Sequence, residues 1–163
     1  MARSGYCKIV GTKSGEVKGS VKQHGHEDTI EVLAISHKVE VPRDAHTGQA
    51  SGRRRHNPFT IVKALDKSSP LLFKMMCENE ELKSVEIKIN RVNPKGGEEL
   101  FFTYKLEGAN IVDIDTDMKS VKDKNFDYLP HMEHVSFSYS KITWTIEEGG
   151  IMASDDWMDR MAS

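Results

Sequence analysis

The stretch that most constrains the fold is Met132 to Ile146, MEHVSFSYSKITWTI. Val135, Phe137 and Tyr139 alternate with Ser136, Ser138 and Ser140, the two-residue period of a strand with one buried face. From Ile142 the apolar side changes over: Ile142, Trp144 and Ile146 fall in the opposite register, with Lys141, Thr143 and Thr145 between them. A strand that buries one face in its first half and the other in its second must bend, bulge or meet a different partner on each side. One partner is the chain's own core. A second copy of the chain is the candidate for the other, which predicts more apolar surface than one protomer can hide.

The rest of the chain reads as further strands. Gly5 to Gly11 forms a first strand, followed by a polar, glycine-rich segment to Asp28 with room for a short hairpin. Thr29 to Val41 is one strand with apolar residues on both faces, Leu33, Ile35, Val39 and Val41 on one and Ile30, Val32 and Ala34 on the other. Phe59 to Ala64 is a short strand. Ser69 caps a helix over Pro70 to Asn79, where a proline at the first position is favourable and Leu71, Leu72, Met75 and Met76 supply the apolar stripe. Leu82 to Val92 and Leu100 to Leu106 form a hairpin across the turn Asn93 to Gly97. Gly108 interrupts the run, and Asn110 to Met118 is a separate strand with Val112 and Ile114 inward. A charged linker, Lys119 to His131, carries Phe126 and Tyr128, and a tail begins at Glu147. About seven strands and one helix predict a closed or nearly closed barrel of two packed sheets, because closure removes exposed edges.

Pro42 to Pro58, PRDAHTGQASGRRRHNP, is the exception. It shows no periodicity and carries only small apolar residues, and unstructured stretches of this length inside a compact domain are uncommon and usually functional or disordered. It contains the one dense basic cluster, Arg53, Arg54, Arg55 and His56. Nucleic-acid binding would need interleaved aromatic side chains for stacking, and Phe59 alone is a poor platform. A net charge of -2, from 23 basic and 25 acidic residues, gives no global field toward nucleic acid or an anionic membrane. The cluster is therefore a solvated loop or a charged protein contact, in which arginine forks pair with carboxylates. Asp155, Asp156 and Asp159 are the candidate counterparts. Trp157 among them is an anchor for the tail, with docking on the same chain and on a neighbour both open.

No active site emerges. Gly11, Thr12, Lys13 and Ser14 look like the end of a phosphate-binding loop, but Gly5 lies one residue too far upstream and the intervening YCKIV is strand-like. His24 and His26, with Glu27 and Asp28, lack a third placed ligand for a metal, and a solvated loop is favoured. Ser36 beside His37 is no nucleophile and base, since adjacent strand residues point to opposite faces. Cys7 and Cys77 match no metal spacing and are expected reduced in packed positions. There is no signal-peptide run and no stretch of 18 apolar residues, so folding is expected in the cytoplasm, without membrane insertion.

Several segments in order carry a further resemblance: YCKIVG from Tyr6, IEVLAISHKVEV from Ile30, GRRRHNPFTI at Gly52 to Ile61, LDKSSPLL at Leu65 to Leu72, VSFSYSKITWT at Val135 to Thr145 and ASDDW at Ala153 to Trp157. Together they resemble the haemolysin-coregulated proteins, the tube subunits of bacterial type VI secretion systems, over nearly the whole chain. The resemblance implies a two-sheet β-barrel with one short helix alongside, assembling as a homo-hexameric ring. Stacked rings would form a tube expelled by a contractile sheath behind a spike protein, and ring lumens would carry or chaperone effector cargo. It further implies one tube-subunit domain over 1–163, an extended loop 42–58 reaching the adjoining ring, and a tail 147–163 with no fused toxin domain. Export would need no signal peptide.

The expected function is a non-enzymatic structural subunit without cofactor or metal. Apolar strand faces would hold the ring, Arg53, Arg54, Arg55, His56, Asp155, Asp156 and Trp157 would assist contacts between subunits or rings, and Ser36, from its place in LAIS, would face the lumen. The alternative is a monomeric small-ligand β-barrel, which requires an apolar cavity and polar outer faces. A small hydrolase is the third class and lacks a nucleophile and base at usable spacing.

Overall fold

The computed structural model describes residues 2–157. The strands are β1 (Ala2–Gly11), β2 (Gly15–Val17), β3 (Ile30–Val32), β4 (Ala34–Ser36), β5 (Val39–Glu40), β6 (Arg55–His56) and β7 (Phe59–Ala64), then helix α1 (Ser69–Cys77), then β8 (Leu82–Val92), β9 (Glu98–Asp117), β10 (Met132–Ser138), β11 (Lys141–Ile146) and β12 (Ile151–Asp156). The fold is mainly β, with two packed sheets and one helix. In the first sheet β2 and β3 both lie along β1, followed by β8, the first part of β9, β11 and β12. In the second, the distal part of β9 pairs with β10, β10 with β7 and β7 with β4. A separate two-stranded ladder, β5 with β6, stands apart.

The reversal of apolar register inside Met132–Ile146 is a corner. β10 runs in the second sheet and β11 in the first, with Tyr139 and Ser140 between them. Val135, Phe137, Tyr139 and Ile142 are all buried in one shared core. Because the strand changes sheets, opposite registers point at the same interior, so this feature needs no second copy of the chain. The double-faced stretch Thr29 to Val41 resolves in the same way. It is three short strands, not one: Ile30 and Val32 face the core from β3, the chain crosses at the exposed Leu33, whose amide donates to the carbonyl of Val62 at 2.7 Å, and Ile35 packs on the core from β4.

β9 is a single strand of 20 residues and belongs to both sheets. Gly108 bends it without ending it. Its φ of +58° lies where a side chain is strained, and a Cβ there would stand 2.3 Å from Ser140 Oγ. Beyond the bend, Phe137 pairs with Ile111 and Ser136 with Asp113, which leaves Val112 in a bulge. The bulge turns Val112 outward, 49% exposed, while Ile111 and Ile114 face the core, so the expected inward Val112 is corrected. The hairpin of β8 and β9 is present, its turn closed by Asn93 Oδ1 accepting from the amides of Lys95 and Gly97, both at 2.9 Å. The tail also differs from expectation, since residues 151–156 form β12 on β11. Closure is incomplete: among the described residues β12 pairs only with β11 and β4 only with β7.

The helix starts one residue earlier than expected, with Ser68 at the cap position, and its faces are as expected: Leu72 and Met75 are buried, Leu71 and Met76 partly so. Ser69 has another use. Lys63 and Glu133 face each other across β7 and β10, both side chains fully buried, with Lys63 Nζ donating to Glu133 Oε1 at 2.5 Å, to Ser69 Oγ at 3.1 Å and to the Ala64 carbonyl at 3.0 Å. Ser69 Oγ donates to Glu133 at 3.1 Å, and Asp66 stands 3.1 Å from the ammonium. This cluster welds the start of α1 to the second sheet. Breaking a buried ion pair from one side strands the other charge, whereas replacing both partners by apolar side chains can be neutral. Lys63→Ala should therefore lower unfolding free energy by about 3–5 kcal/mol in urea titrations, while Lys63→Met with Glu133→Leu should recover most of that loss.

Candidate functional site

The segment between β5 and β6 is an arm. From Val41 to Arg55 every residue is exposed except the half-buried Pro42. It is nevertheless ordered from within. Asp44 Oδ1 accepts from the amides of His46 and Thr47, each at 2.8 Å, an Asx turn that its short acidic side chain favours. Gly48, at a φ of +71°, closes the tip by donating to the Asp44 carbonyl at 3.0 Å. Arg43 bridges to Ala50, and the Ser51 amide donates to the Pro42 carbonyl at 2.9 Å. The stretch expected to lack structure over 42–58 thus has a strand, β6, at its end and a paired stem at its base.

The root of the arm is pinned to the body by the residues singled out in the sequence. Arg54 forms a bidentate fork on Asp155, at 2.6 and 2.8 Å. His56 has a fully buried side chain held from both sides, Nε2 at 2.7 Å from Asp155 and Nδ1 at 2.8 Å from the Tyr139 hydroxyl. Because the carboxylate can only accept, Nε2 carries the proton toward Asp155, and Tyr139 donates to Nδ1. Trp157 stacks on His56 with centroids 5.6 Å apart and donates its indole N–H to the Tyr139 carbonyl at 2.6 Å. The tail tryptophan thus docks on its own chain. Arg55 pairs with Glu40 of β5, closing the small ladder. Arg53 is exposed and has no ion pair among the described residues. Asp156 is exposed on β12, and Asp159 lies outside the described residues.

Electrostatics follow the contacts. The Arg54 guanidinium, and after it His56, hold the Asp155 carboxyl below its ordinary range, and Arg54 is raised in return. Burial, with Asp155 adding to it, pushes Tyr139 up to about 12. Beside this network, Trp144 donates its indole N–H to His37 Nε2 at 3.1 Å, and His37 is ringed by Phe59, Tyr104, Tyr139 and Trp144. Burial lowers the His37 pKa. Sequence reading missed this aromatic box, although Tyr104, Tyr139 and Trp144 each sat at an inward position of a strand.

The other candidates separate. Ser36 is exposed on β4 while His37 turns into the box, so the two do not meet. The turn from Gly11 to Gly15 is occupied by the protein's own carboxylate: Glu80 accepts from the Ser14 hydroxyl at 2.8 Å and from its amide at 3.3 Å. His26 stacks on Tyr6 at 3.9 Å while His24 points outward to Glu27, and no group of three or more metal-ligating side chains converges among the described residues. Cys7 is buried, and burial pushes its thiol up, whereas Cys77 is exposed, contrary to the expectation that both pack inside. Fully buried side chains, Phe59, Phe137, Ile61, Leu106 and Ile142 among them, pack between the sheets, where a lipocalin-like barrel would need an apolar cavity.

Asp155 is the hub of the anchor, so its removal is diagnostic. Asp155→Ala leaves His56 buried with Nε2 unpartnered and is expected to cost about 1.5–3 kcal/mol, read as a lower urea midpoint at unchanged m-value. Since the folded carboxyl has a depressed pKa, its contribution is present above the ordinary aspartate range and fades as pH falls through the folded value. The gap between wild type and variant should accordingly narrow only below about pH 4.

Comparison with known proteins bears on the whole assembly of elements. The family described as type VI secretion system effector, Hcp, matches residues 6–146. A curated relative, the "Major exported protein" of Pseudomonas aeruginosa, is 40% identical, with 99% of each chain covered. Among solved structures, one described as an Hcp protein superposes with a TM-score of 0.89 at 36% identity, covering 94% of this chain and 97% of that one. Secreted protein Hcp3 from Pseudomonas aeruginosa gives 0.78 at 36% identity, covering 96% and 99%. With the mainly β two-sheet fold, the single helix and matches that run through both sheets, this chain belongs to the Hcp family of type VI secretion proteins.

Proposed function

We propose that the chain is a structural subunit of the type VI secretion inner tube, a homo-hexameric ring that stacks on other rings, is exported without a signal peptide after assembly in the cytoplasm, and carries or chaperones effector cargo. Contractile sheath, spike protein and cargo are its other partners, and the protein acts by assembly, not catalysis. Family membership supports the reading, as does the name of the exported relative. The observation that carries it is the arm. A segment that is ordered by its own hydrogen bonds while burying almost nothing on its own core has the form of a part received by another molecule.

Other surfaces fit the same reading. Among the described residues β12 is paired along one edge only, and it exposes Ile151 and Met152 at 69% and 67%; a subunit of a closed ring needs such unsatisfied edges. In this reading Arg53 and the arm tip reach the adjoining ring, Arg54, Arg55, His56, Asp155 and Trp157 hold the arm at the angle that contact requires, Asp156 lies on the subunit edge, and Ser36 faces the lumen. A mass close to six chains in native mass spectrometry or ultracentrifugation is the expected result, and a persistent monomer at high concentration would refute the ring.

Arg53 separates stacking from folding. With its guanidinium in no ion pair among the described residues, Arg53→Ala should leave the urea midpoint within about 0.5 kcal/mol of wild type. It should shorten or abolish tubes in electron micrographs and flatten their salt dependence. Replacing Arg54 as well should also loosen the arm root, because that side chain holds Asp155.

A further inference from the structure

His37 is the residue that the anchor of the arm does not explain. It lies between β4 and β5, two residues before the arm's own ladder. An indole N–H can only donate, so the bond from Trp144 makes His37 Nε2 an acceptor and puts the ring proton on Nδ1. That nitrogen is buried and has no hydrogen-bond partner among the described residues. A histidine in this state is fixed in one tautomer and one charge, and gains nothing from burial as a cation.

We propose that His37 is a proton-operated latch: while neutral it accepts the Trp144 N–H and holds β5, the first strand of the arm, against the body, and when protonated it is expelled and the arm is released on that side. A second proton would fall on Nε2, where it would confront the indole N–H. Among the described residues no carboxylate faces the ring to compensate. The titratable or charged groups around it are His56 from β6, Tyr104 from β9 and Tyr139 at the corner after β10, with Asp155 and Arg54 reached only through His56. His56 adds repulsion to a cation at His37.

The rest of the anchor stays in place over the same range. Asp155 remains ionised because Arg54 and His56 hold its pKa down, and Tyr139 remains a neutral phenol. His56 keeps both partners in either charge state, since a phenol oxygen can donate or accept. Acidification therefore acts on β5 and leaves Arg54 on Asp155. The sign follows from linkage. The held form has the depressed His37 pKa and binds fewer protons than the released form, so release becomes favourable as pH falls below the ordinary histidine value of about 6.5.

The test is hydrogen exchange read by mass spectrometry on the full chain, with rates corrected for intrinsic pH dependence. Between about pH 7.5 and about pH 5, protection across Val39 to His56 should fall by about tenfold, while β7 and β10 keep theirs. His37→Gln retains a carbonyl that can accept from Trp144 and cannot titrate, so its arm should be protected equally at both values. Equal protection of the wild-type arm at both values, or a pH dependence that survives His37→Gln, would overturn the latch. Imidazole nitrogen NMR on the wild type gives a check independent of any variant: the proton on Nδ1 supports the latch, and the proton on Nε2 sinks it. Each readout concerns a single chain and does not depend on ring formation.

Discussion

The fold depends on one corner. Ser140 donates its amide to the carbonyls of Glu107 and Gly108, each at 3.2 Å, and its hydroxyl to Glu107 at 3.0 Å, at the point where β10 gives way to β11 and where β9 bends. Two strands therefore leave one sheet and enter the other at the same place. Gly108 permits this because a side chain there would occupy the position of Ser140 Oγ. With the bend fixed, apolar residues of opposite registers converge on one interior, and the long β9 can serve as an edge to one sheet and a centre to the other.

The buried charges extend this logic to the helix. Lys63 and Glu133 stand at inward positions of β7 and β10, where an alternating pattern would place aliphatic side chains. Their mutual bond, with Ser69 and Asp66 beside them, fixes the start of α1 over the second sheet with a directionality that hydrophobic contact lacks. On β12 of the first sheet, Asp155 takes Arg54 and His56 and so fixes the arm. The core thus carries two polar clamps, one for each irregular part of the chain, and between them the packing is aliphatic and aromatic.

Much of this architecture could be read from residue order. Alternation marked β8, β10 and β11, β1 and β7 read as short strands, and proline after serine marked the start of the helix within a residue. Where the reading failed, a tertiary event had altered a local period. The bulge at Val112 shifted the inward residues to Ile111 and Ile114. The expected strand Thr29 to Val41 is three, and the crossing at Leu33 between the first two gives both of its faces to one core. β12 left no trace because an exposed edge strand paired on one side has no buried face to impose alternation. For the candidate site, the residues were found and their pairing was not. Arginines and aspartates about 100 positions apart carry no periodic signal of their meeting, and His37, weighed only beside Ser36, carried no sign of the aromatic side chains that enclose it.

By itself, then, the sequence determined the strand periods, the family, and the placement of a basic, aperiodic segment before β7, because each is written in neighbouring residues. Tertiary structure alone decided that the reversal inside Met132–Ile146 is a corner within one protomer, that Arg54 and His56 share Asp155, and that the arm is ordered yet exposed. These outcomes depend on which distant segments are brought within a few ångströms, and that is settled by closing two sheets over a common core.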